Sequence, residues 1–129
     1  MVRLLRAWLI VLLAVLWLPA SAQAQAQTHH TTQGAYAGLA TVSVAELPPE
    51  ARNTLSAIKQ GGPFAYPRDG VVFKNYERIL PKRMRGYYRE YTVNTPGSHN
   101  RGMRRIISGK LNEYYYSDDH YKTFKRILE

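Results

Sequence analysis

The chain has 129 residues, no cysteine and a formal net charge of +9 at pH 7. This length allows one domain, and the lack of cysteine excludes disulfide staples, so a single modest core must hold the fold together. The basic balance favours a polyanionic partner such as a nucleic acid or an anionic membrane surface, although solubility alone would also explain it.

Residues 1–22 have the pattern of a secretory signal peptide. Arg3 and Arg6 supply the positive start, an unbroken apolar stretch covers 7–18, and Ala20-Ser21-Ala22 forms a small-x-small cleavage site. The alternative is a membrane anchor, but a transmembrane helix needs ~20 apolar residues, more than this stretch provides. We therefore expect export, with cleavage at position 22 or a few residues beyond it.

Residues 23–38 are predicted to be a disordered lead-in, because 23–34 is a polar run of low complexity. The folded domain is placed at 39–129. Its first element is a short edge strand at 40–44, which the prolines at 48 and 49 end. A helix is then predicted from Pro49 to Gln60, with Gly61 and Gly62 after it. Its apolar face is formed by Ala51, Thr54, Leu55 and Ile58.

Short β-prone runs separated by turn signals fill the rest of the chain. Strands are predicted at 71–73, 87–93, 104–108, 114–116 and 123–127. One helix followed by hairpin-linked strands predicts an α+β fold, in which a single N-terminal α-helix packs on one antiparallel β-sheet.

Four charged residues in the second half of the chain suggest a chemistry. Glu90 lies in a predicted strand, Arg101 and Arg105 follow it, and His120 comes near the end. A carboxylate can accept the proton of a ribose 2′-hydroxyl, an imidazole can protonate the leaving 5′-oxygen, and two guanidiniums can hold the phosphate between them. These groups suffice to break an RNA backbone without a metal or a cofactor.

Each of these residues also has a simpler interpretation. Glu90 is compatible with a solvent-facing strand position paired with Arg89, and His120 with an ordinary surface histidine. Arg104 and Arg105 are adjacent in a strand and point to opposite faces, so one of them is expected to be a solvated charge.

Seven short stretches, in order, resemble the secreted microbial guanyl-specific ribonucleases, and in particular their bacterial, streptomycete-like and barnase-related branch. The similarity runs from about Val42 to Ile127. The stretches are LPPE at 47–50, GPF at 62–64, DGVVFKNYE at 69–77, GYYREYTV at 86–93, TPG at 95–97, RGMRRII at 101–107 and DHY at 119–121. One such stretch would be weak evidence, but all of them in order, at the family's spacing, make a chance match very improbable.

The resemblance implies a metal-independent endonuclease that cuts single-stranded RNA after guanosine. The product would be a 2′,3′-cyclic phosphate, which is then hydrolysed to a 3′-phosphate. Carried over residue by residue, the family pattern makes Glu90 the general base, His120 the general acid, and Arg101 and Arg105 the phosphate clamps. It makes Tyr121 a further phosphate contact and assigns the solvated role to Arg104.

Base recognition is expected in the stretch from Phe73 to Glu77, which includes Lys74. Guanine presents two neighbouring donors that a carboxylate can accept, and Glu77 is the candidate for that contact. Backbone N–H groups around Asn75 and Tyr76 would bind the O6 acceptor, and the rings of Phe73 and Tyr76 would stack on the base. A core position for Phe73 is the alternative.

The sequence therefore predicts a secreted, monomeric endoribonuclease with single-stranded RNA as its partner and no cofactor. It allows a barstar-like protein inhibitor as a second partner. Two alternatives stay open: a catalytically inactive basic module that binds RNA or membranes on the same fold, and a nuclease toxin controlled by a separate inhibitor.

Overall fold

The computed structural model describes residues 36–129. The predicted signal peptide and residues 23–35 of the predicted lead-in lie outside the described residues. The last three residues of that lead-in, 36–38, form a turn. Tyr36 packs against the ring of Tyr115 and donates a hydrogen bond to Glu113. Residues 36–38 thus belong to the folded part, because a buried carboxylate holds the tyrosine hydroxyl.

Six strands form one sheet in the order β1-β6-β5-β4-β3-β2. They are β1 (Ala40–Ser43), β2 (Val71–Phe73), β3 (Tyr88–Thr92), β4 (Arg105–Gly109), β5 (Tyr114–Ser117) and β6 (Lys125–Leu128). All neighbours are antiparallel except β1 and β6, which run parallel. The prediction of an α+β fold is confirmed. The parallel pair departs from the predicted all-antiparallel sheet, because the whole intervening domain serves as the long connection that parallel strands require.

A single α-helix, α1 (Pro49–Gln60), packs on the sheet as predicted. Pro49 occupies its first turn, where a missing N–H costs nothing. Gly61 ends it in the left-handed conformation at φ 80°, and the N–H of Gly62 bonds to the carbonyl of Ala57. A short 3₁₀ turn at Val44–Glu46, which was not predicted, joins β1 to this helix. No helix within residues 36–129 is long and apolar enough to cross a membrane.

The two faces of the sheet carry two separate apolar clusters. The cluster under the helix comprises Leu47, Ala51, Leu55, Val93, Ile106, Tyr114, Tyr116 and Ile127. The cluster on the other face comprises Leu80, Tyr88, Ile107, Tyr115 and Phe124. Successive strand residues point to opposite faces, so the side chains of β3 and β4 that alternate with the helix-facing ones lie on this second face. Glu90 and Arg105 are among them, at the edge of a packed surface.

Candidate active site

Glu90 is a charged residue in the middle of β3 and is only 7 % exposed. One carboxylate oxygen, Oε1, lies 3.4 Å from Nη2 of Arg101 and 3.8 Å from Nε of Arg68. The other, Oε2, accepts a hydrogen bond of 3.1 Å from the hydroxyl of Tyr121. These hydrogen bonds and ion pairs offset the cost of burying the carboxylate. The simpler interpretation of Glu90 as a solvent-facing residue is therefore wrong.

Arg105 is 3 % exposed and lies at the start of β4, in register with Thr92 of β3. Its Nη1 donates to the backbone carbonyls of Gly102 at 2.9 Å and Arg104 at 2.8 Å, and its Nε donates to the Tyr121 hydroxyl at 3.0 Å. Within residues 36–129, its Nη2 makes no hydrogen bond. The guanidinium is thus fixed on one side and has a donor left for an anion.

Arg101 precedes β4 in a loop and reaches back to β3. Its Nε donates to Oγ1 of Thr92 at 2.9 Å, which aims the guanidinium at Glu90. Thr92 is itself held, because its backbone N–H donates to Asp69 at 2.7 Å. The two predicted clamps, Arg101 and Arg105, thus lie on the same side of the sheet as the predicted base.

Tyr121 connects these charged groups, since its hydroxyl accepts from Arg105 and donates to Glu90. Burial of the ring, followed by the negative charge of Glu90, raises the pKa of this hydroxyl above its usual value. The hydroxyl therefore stays protonated at neutral pH and keeps its donor role. We call Glu90, Arg101, Arg105 and Tyr121 the catalytic cluster.

His120 lies on an exposed turn beside the catalytic cluster, with its ring 4.9 Å from the ring of Tyr121. Both residues have left-handed backbone conformations, at φ 57° and 71°. Such values are uncommon outside glycine and occur more often where surrounding bonds enforce them. Here the His120 N–H donates to the Met103 carbonyl at 3.1 Å, and the Tyr121 N–H donates to Ser117 at 3.0 Å.

Asp119 holds this turn from inside. Its Oδ1 accepts from Ser117 and from the backbone N–H of Thr123, both at 2.9 Å, and its Oδ2 accepts from the Thr123 hydroxyl at 2.6 Å. Partial burial opposes ionisation of Asp119, but the hydrogen bonds from Thr123 and Ser117 outweigh it and lower the pKa of the carboxyl. The ionised carboxylate therefore holds the turn that carries His120.

A pocket of about 360 Å³ opens beside Glu90. It contains all five residues predicted to recognise a base, together with Glu90 and Tyr121. Its lining is Arg68, Val72, Phe73, Lys74, Asn75, Tyr76, Glu77, Ile79, Glu90, Tyr121 and Phe124. The pocket has apolar walls and two carboxylates, a lining that suits a flat ring with hydrogen-bond donors on one edge.

The loop at 74–80 forms one wall of this pocket, and the Asn75 side chain closes it. Asn75 has φ 50°, its Nδ2 donates to the Leu80 carbonyl at 2.8 Å, and its Oδ1 accepts from the Leu80 N–H at 3.2 Å. The side-chain amide is thus used within the loop, so a ligand could meet only the backbone groups of Asn75. Tyr76 is 80 % exposed, and the Lys74 ammonium lies 5.4 Å from its ring centre.

Phe73 stands between the two interpretations given above. Its ring stacks on Tyr121 with centres 5.2 Å apart and packs edge-on against Phe124 at 5.9 Å. The residue is half-buried and also lines the pocket. Phe73 and Tyr76 do not stack on each other, so a base between them would lie against one packed ring and one free ring.

Two contributors to the site were missed from the sequence. Arg68, within 4 Å of Glu90, precedes a turn at Asp69-Gly70, and β2 then pairs Val71 with Glu90. Recognising that hairpin register would have placed Arg68 beside Glu90. Thr92 had a local signal as well, since it lies two residues after Glu90 and hence on the same strand face.

Arg104 lies apart from the catalytic cluster. Its Nη1 is 3.7 Å from Oε2 of Glu50 on α1, whereas Arg105 points to the other face of the sheet. The prediction that the two adjacent arginines diverge agrees with these positions. Arg104 is half-buried and paired rather than fully solvated.

Comparison with known proteins finds a matching family and similar individual proteins. A family model described as ribonuclease matches residues 21–128. The chain is 50 % identical over 95 residues to guanyl-specific ribonuclease St of Saccharopolyspora erythraea, covering 74 % of this chain and 94 % of the relative. It is 56 % identical over 88 residues to guanyl-specific ribonuclease Sa of Kitasatospora aureofaciens, covering 67 % and 92 %.

Solved structures of ribonuclease Sa2 share the fold. One of its complexes with mononucleotides matches with a TM-score of 0.70 at 52 % identity, over 70 % of this chain and 95 % of that one. Its complex with guanosine-2′-cyclophosphate matches with a TM-score of 0.67 at 51 % identity, over 70 % and 96 %. With this identity over nearly the whole length of its relatives, the chain belongs to the family of microbial guanyl-specific ribonucleases.

Proposed function

We propose that the protein cleaves single-stranded RNA on the 3′ side of guanosine, first to a 2′,3′-cyclic phosphate and then to a 3′-phosphate. The main observation behind this proposal is that Glu90 and the predicted base-recognition residues line one pocket. A buried, ion-paired carboxylate, Glu90, lines one side, and the predicted base-recognition loop lines the other. A guanine on the loop side places its ribose beside that carboxylate.

Glu90 acts as the general base in the first step. Its Oε1 and Oε2 are held by Arg101 and Tyr121, and these contacts fix the position of the carboxylate beside the pocket. It takes the 2′-hydroxyl proton while the 2′-oxygen attacks phosphorus. General bases of this kind contribute roughly 10²–10⁴-fold to the rate.

Arg101 and Arg105 stabilise the phosphate as its negative charge grows. Because Arg105 is fixed by the carbonyls of Gly102 and Arg104, its free donor needs little reorganisation in the transition state. Before substrate binds, Tyr121 donates its one hydroxyl proton to Glu90 and accepts from Arg105. When RNA binds, that proton turns to the phosphate while the oxygen still accepts from Arg105. No metal or cofactor takes part in this chemistry, since the positive charge comes from the arginines.

His120 acts as the general acid for the leaving 5′-oxygen. Its exposed position suits contact with the departing nucleotide, and the bonds around Asp119 set the direction of the turn that carries it. In the second step the roles exchange: His120 activates water, and Glu90 returns its proton to the 2′-oxygen. Ribonuclease Sa2, a relative, has been crystallised with guanosine-2′-cyclophosphate and with 3′-GMP, which have the forms of the intermediate and the product.

Guanine is selected by Glu77, which accepts from N1–H and the exocyclic amino group. Backbone N–H groups at Asn75 and Tyr76 bind O6, while the rings of Phe73 and Tyr76 contact the base faces. Adenine has an acceptor where guanine has N1–H, so it would leave a buried lone pair facing a carboxylate, and such mismatches are costly.

Export and partners form part of the same proposal. The protein acts outside the cytoplasm as a monomer, in line with the signal-peptide pattern at 1–22. A barstar-like inhibitor of acidic character would fit the basic rim of the pocket, where Lys74 and Arg68 are exposed.

Cleavage of the dinucleotides GpC, ApC, UpC and CpC in EDTA tests the proposal. We expect rapid, GpC-selective formation of a 2′,3′-cyclic product, reduced at least roughly 10²-fold by Glu90→Gln and by His120→Gln. His99→Gln is the matched control, because His99 is an exposed histidine in the loop before Arg101. Salt-sensitive RNA binding without cleavage by the wild type would instead identify an inactive binding module.

A further inference from the structure

A second groove, of about 430 Å³, adjoins the pocket that holds Glu90. The two share the residues from Val72 to Tyr76 as a common wall. The second groove then continues along 82–86 and reaches Tyr88, away from the catalytic cluster. We call it the back groove. No step of the mechanism above uses its far side.

The charge of the back groove distinguishes it from the first pocket. Its cations are Lys74, Arg78, Lys82, Arg83 and Arg85, and neither aspartate nor glutamate lines it. Considering only contacts among residues 36–129, none of these five has a carboxylate within salt-bridge distance. The pocket beside Glu90 contains two carboxylates. A concave cluster of positive charges attracts anions, and its cations repel one another when no anion is bound.

One exposed aromatic ring and one exposed thioether accompany these cations. Tyr76, on the shared wall, is 80 % exposed, and Met84, on the far side, is 87 % exposed. Lys74 lies over the Tyr76 ring, which places a cation beside a free stacking surface. Cations that follow a groove and exposed rings that stack on bases are the features that bind single-stranded nucleic acid. A concave surface of this kind suits a strand better than a flat membrane.

We propose that the back groove binds the phosphates of the RNA segment on the 5′ side of the cleaved guanosine. The 3′-phosphate of that guanosine lies at Arg101 and Arg105, and the strand beyond it leaves past His120. The 5′ segment is the part that remains on the side of the 74–80 loop, next to the shared wall. This inference rests on the proposed placement of guanine in the first pocket.

Three substrates separate the two sides of the strand: GpC, UpUpUpGpC and GpCpUpUpU. For the wild type we expect kcat/KM to rise with the 5′ extension and to fall steeply with salt. Lys82→Gln/Arg85→Gln should lower kcat/KM on UpUpUpGpC by roughly 5- to 10-fold. It should reduce the slope of log kcat/KM against log salt concentration by about 1.4, or about 0.7 for each phosphate released. Arg83 is retained because it packs on Tyr87.

The activity of the double variant on GpC reports whether it is folded and whether the first pocket works. If the wild type does not cleave GpC, the proposed function is wrong. If the double variant cleaves GpC at the wild-type rate but cleaves UpUpUpGpC more slowly, the result supports RNA binding in the back groove. The matched control is Lys110→Gln/Lys125→Gln, which removes two exposed cations elsewhere. This control should keep the benefit of the 5′ extension.

Three outcomes would overturn the proposal. The double variant and the control could lose the same fraction of kcat/KM on UpUpUpGpC, which would show that only the net charge of the protein matters. The benefit could come from the 3′ extension instead. Finally, the double variant could keep all its RNA kinetics and lose only its binding to vesicles of anionic phospholipid, which would make the groove a membrane contact.

Discussion

Two members of the catalytic cluster, Glu90 and Tyr121, line the same pocket as the 74–80 loop, but the cluster and the loop are built in different ways. Glu90 and Arg105 come from neighbouring strands, are almost fully buried, and are tied by hydrogen bonds to Tyr121 and to backbone carbonyls. In the loop, Glu77 and Tyr76 are exposed, and the structural bonds come from Asn75. The chemistry is therefore preorganised on rigid strands, while the specificity contacts await the base.

This contrast indicates where each kind of mutation should act. Changes in the catalytic cluster alter a prearranged charge distribution, so they should lower the rate with every base. In the proposed function Glu77 contacts guanine and no other base, so changes at Glu77 should alter the ratio between substrates. His120 lies between the two cases, because it is exposed but its turn is held by internal bonds.

The largest effect of the following changes is expected for Arg105→Lys. An ammonium cannot bond at once to the Gly102 carbonyl, the Tyr121 hydroxyl and a phosphate oxygen in the fixed geometry of a guanidinium. We expect kcat on GpC to fall by at least roughly 10²-fold, with the preference for guanine unchanged. Steady-state kinetics on GpC and ApC measure both quantities.

Arg104→Lys provides the matched control, because Arg104 pairs with Glu50 on the helix side of the sheet. It should leave both kinetic quantities near wild type. Equal losses in the two variants would show that the effect does not depend on the position of Arg105 in the catalytic cluster. An unchanged kcat in Arg105→Lys would show that positive charge alone, without the fixed geometry of the guanidinium, supports the reaction. Thermal unfolding of each variant separates catalytic loss from loss of the fold.

A smaller effect, but on specificity, is expected for Glu77→Gln. The amide retains one acceptor but loses the charge, and hydrogen bonds to charged groups are worth about 1.5–3 kcal/mol. The ratio of kcat/KM for GpC to that for ApC should fall about 10- to 100-fold. Glu129→Gln, an exposed carboxylate paired with Lys59, should not change the ratio. An unaltered ratio in Glu77→Gln would remove Glu77 from guanine recognition.

The sequence predicted the helix and the strands, because these depend on local patterns, and the family resemblance supplied the candidate site residues. The apolar face of α1 follows from helical periodicity, and the two faces of a strand separate Arg104 from Arg105. The roles of Glu90 and His120, in contrast, came from the family resemblance. Their own residue types favoured simpler interpretations.

The features that the sequence did not predict depend on contacts between distant segments. Arg68 reaches Glu90 only through the register of β2 with β3, and Tyr36 reaches Glu113 across 77 positions. The parallel pairing of β1 with β6 joins the two ends of the described chain in the same way. Short-range periodicity carries no information on such pairs, and only the three-dimensional arrangement reveals them.

The smallest effect is expected for Asp119→Asn, and it should appear mainly in stability. The folded state lowers the pKa of Asp119, so its stabilising contribution is fully present above the unfolded value near 3.8 and is lost as pH falls through the lower folded value. The variant should therefore melt below wild type at pH 7, and the gap should narrow towards pH 2. Asp118→Asn, at an exposed neighbour, should lower neither the melting temperature at pH 7 nor its difference from wild type at other pH values.

Because Asp119 also holds the turn of His120, kcat of Asp119→Asn on GpC should fall modestly while KM stays constant. A gap in melting temperature that persists unchanged at pH 2 would mean that Asp119 acts through its shape and not through its charge.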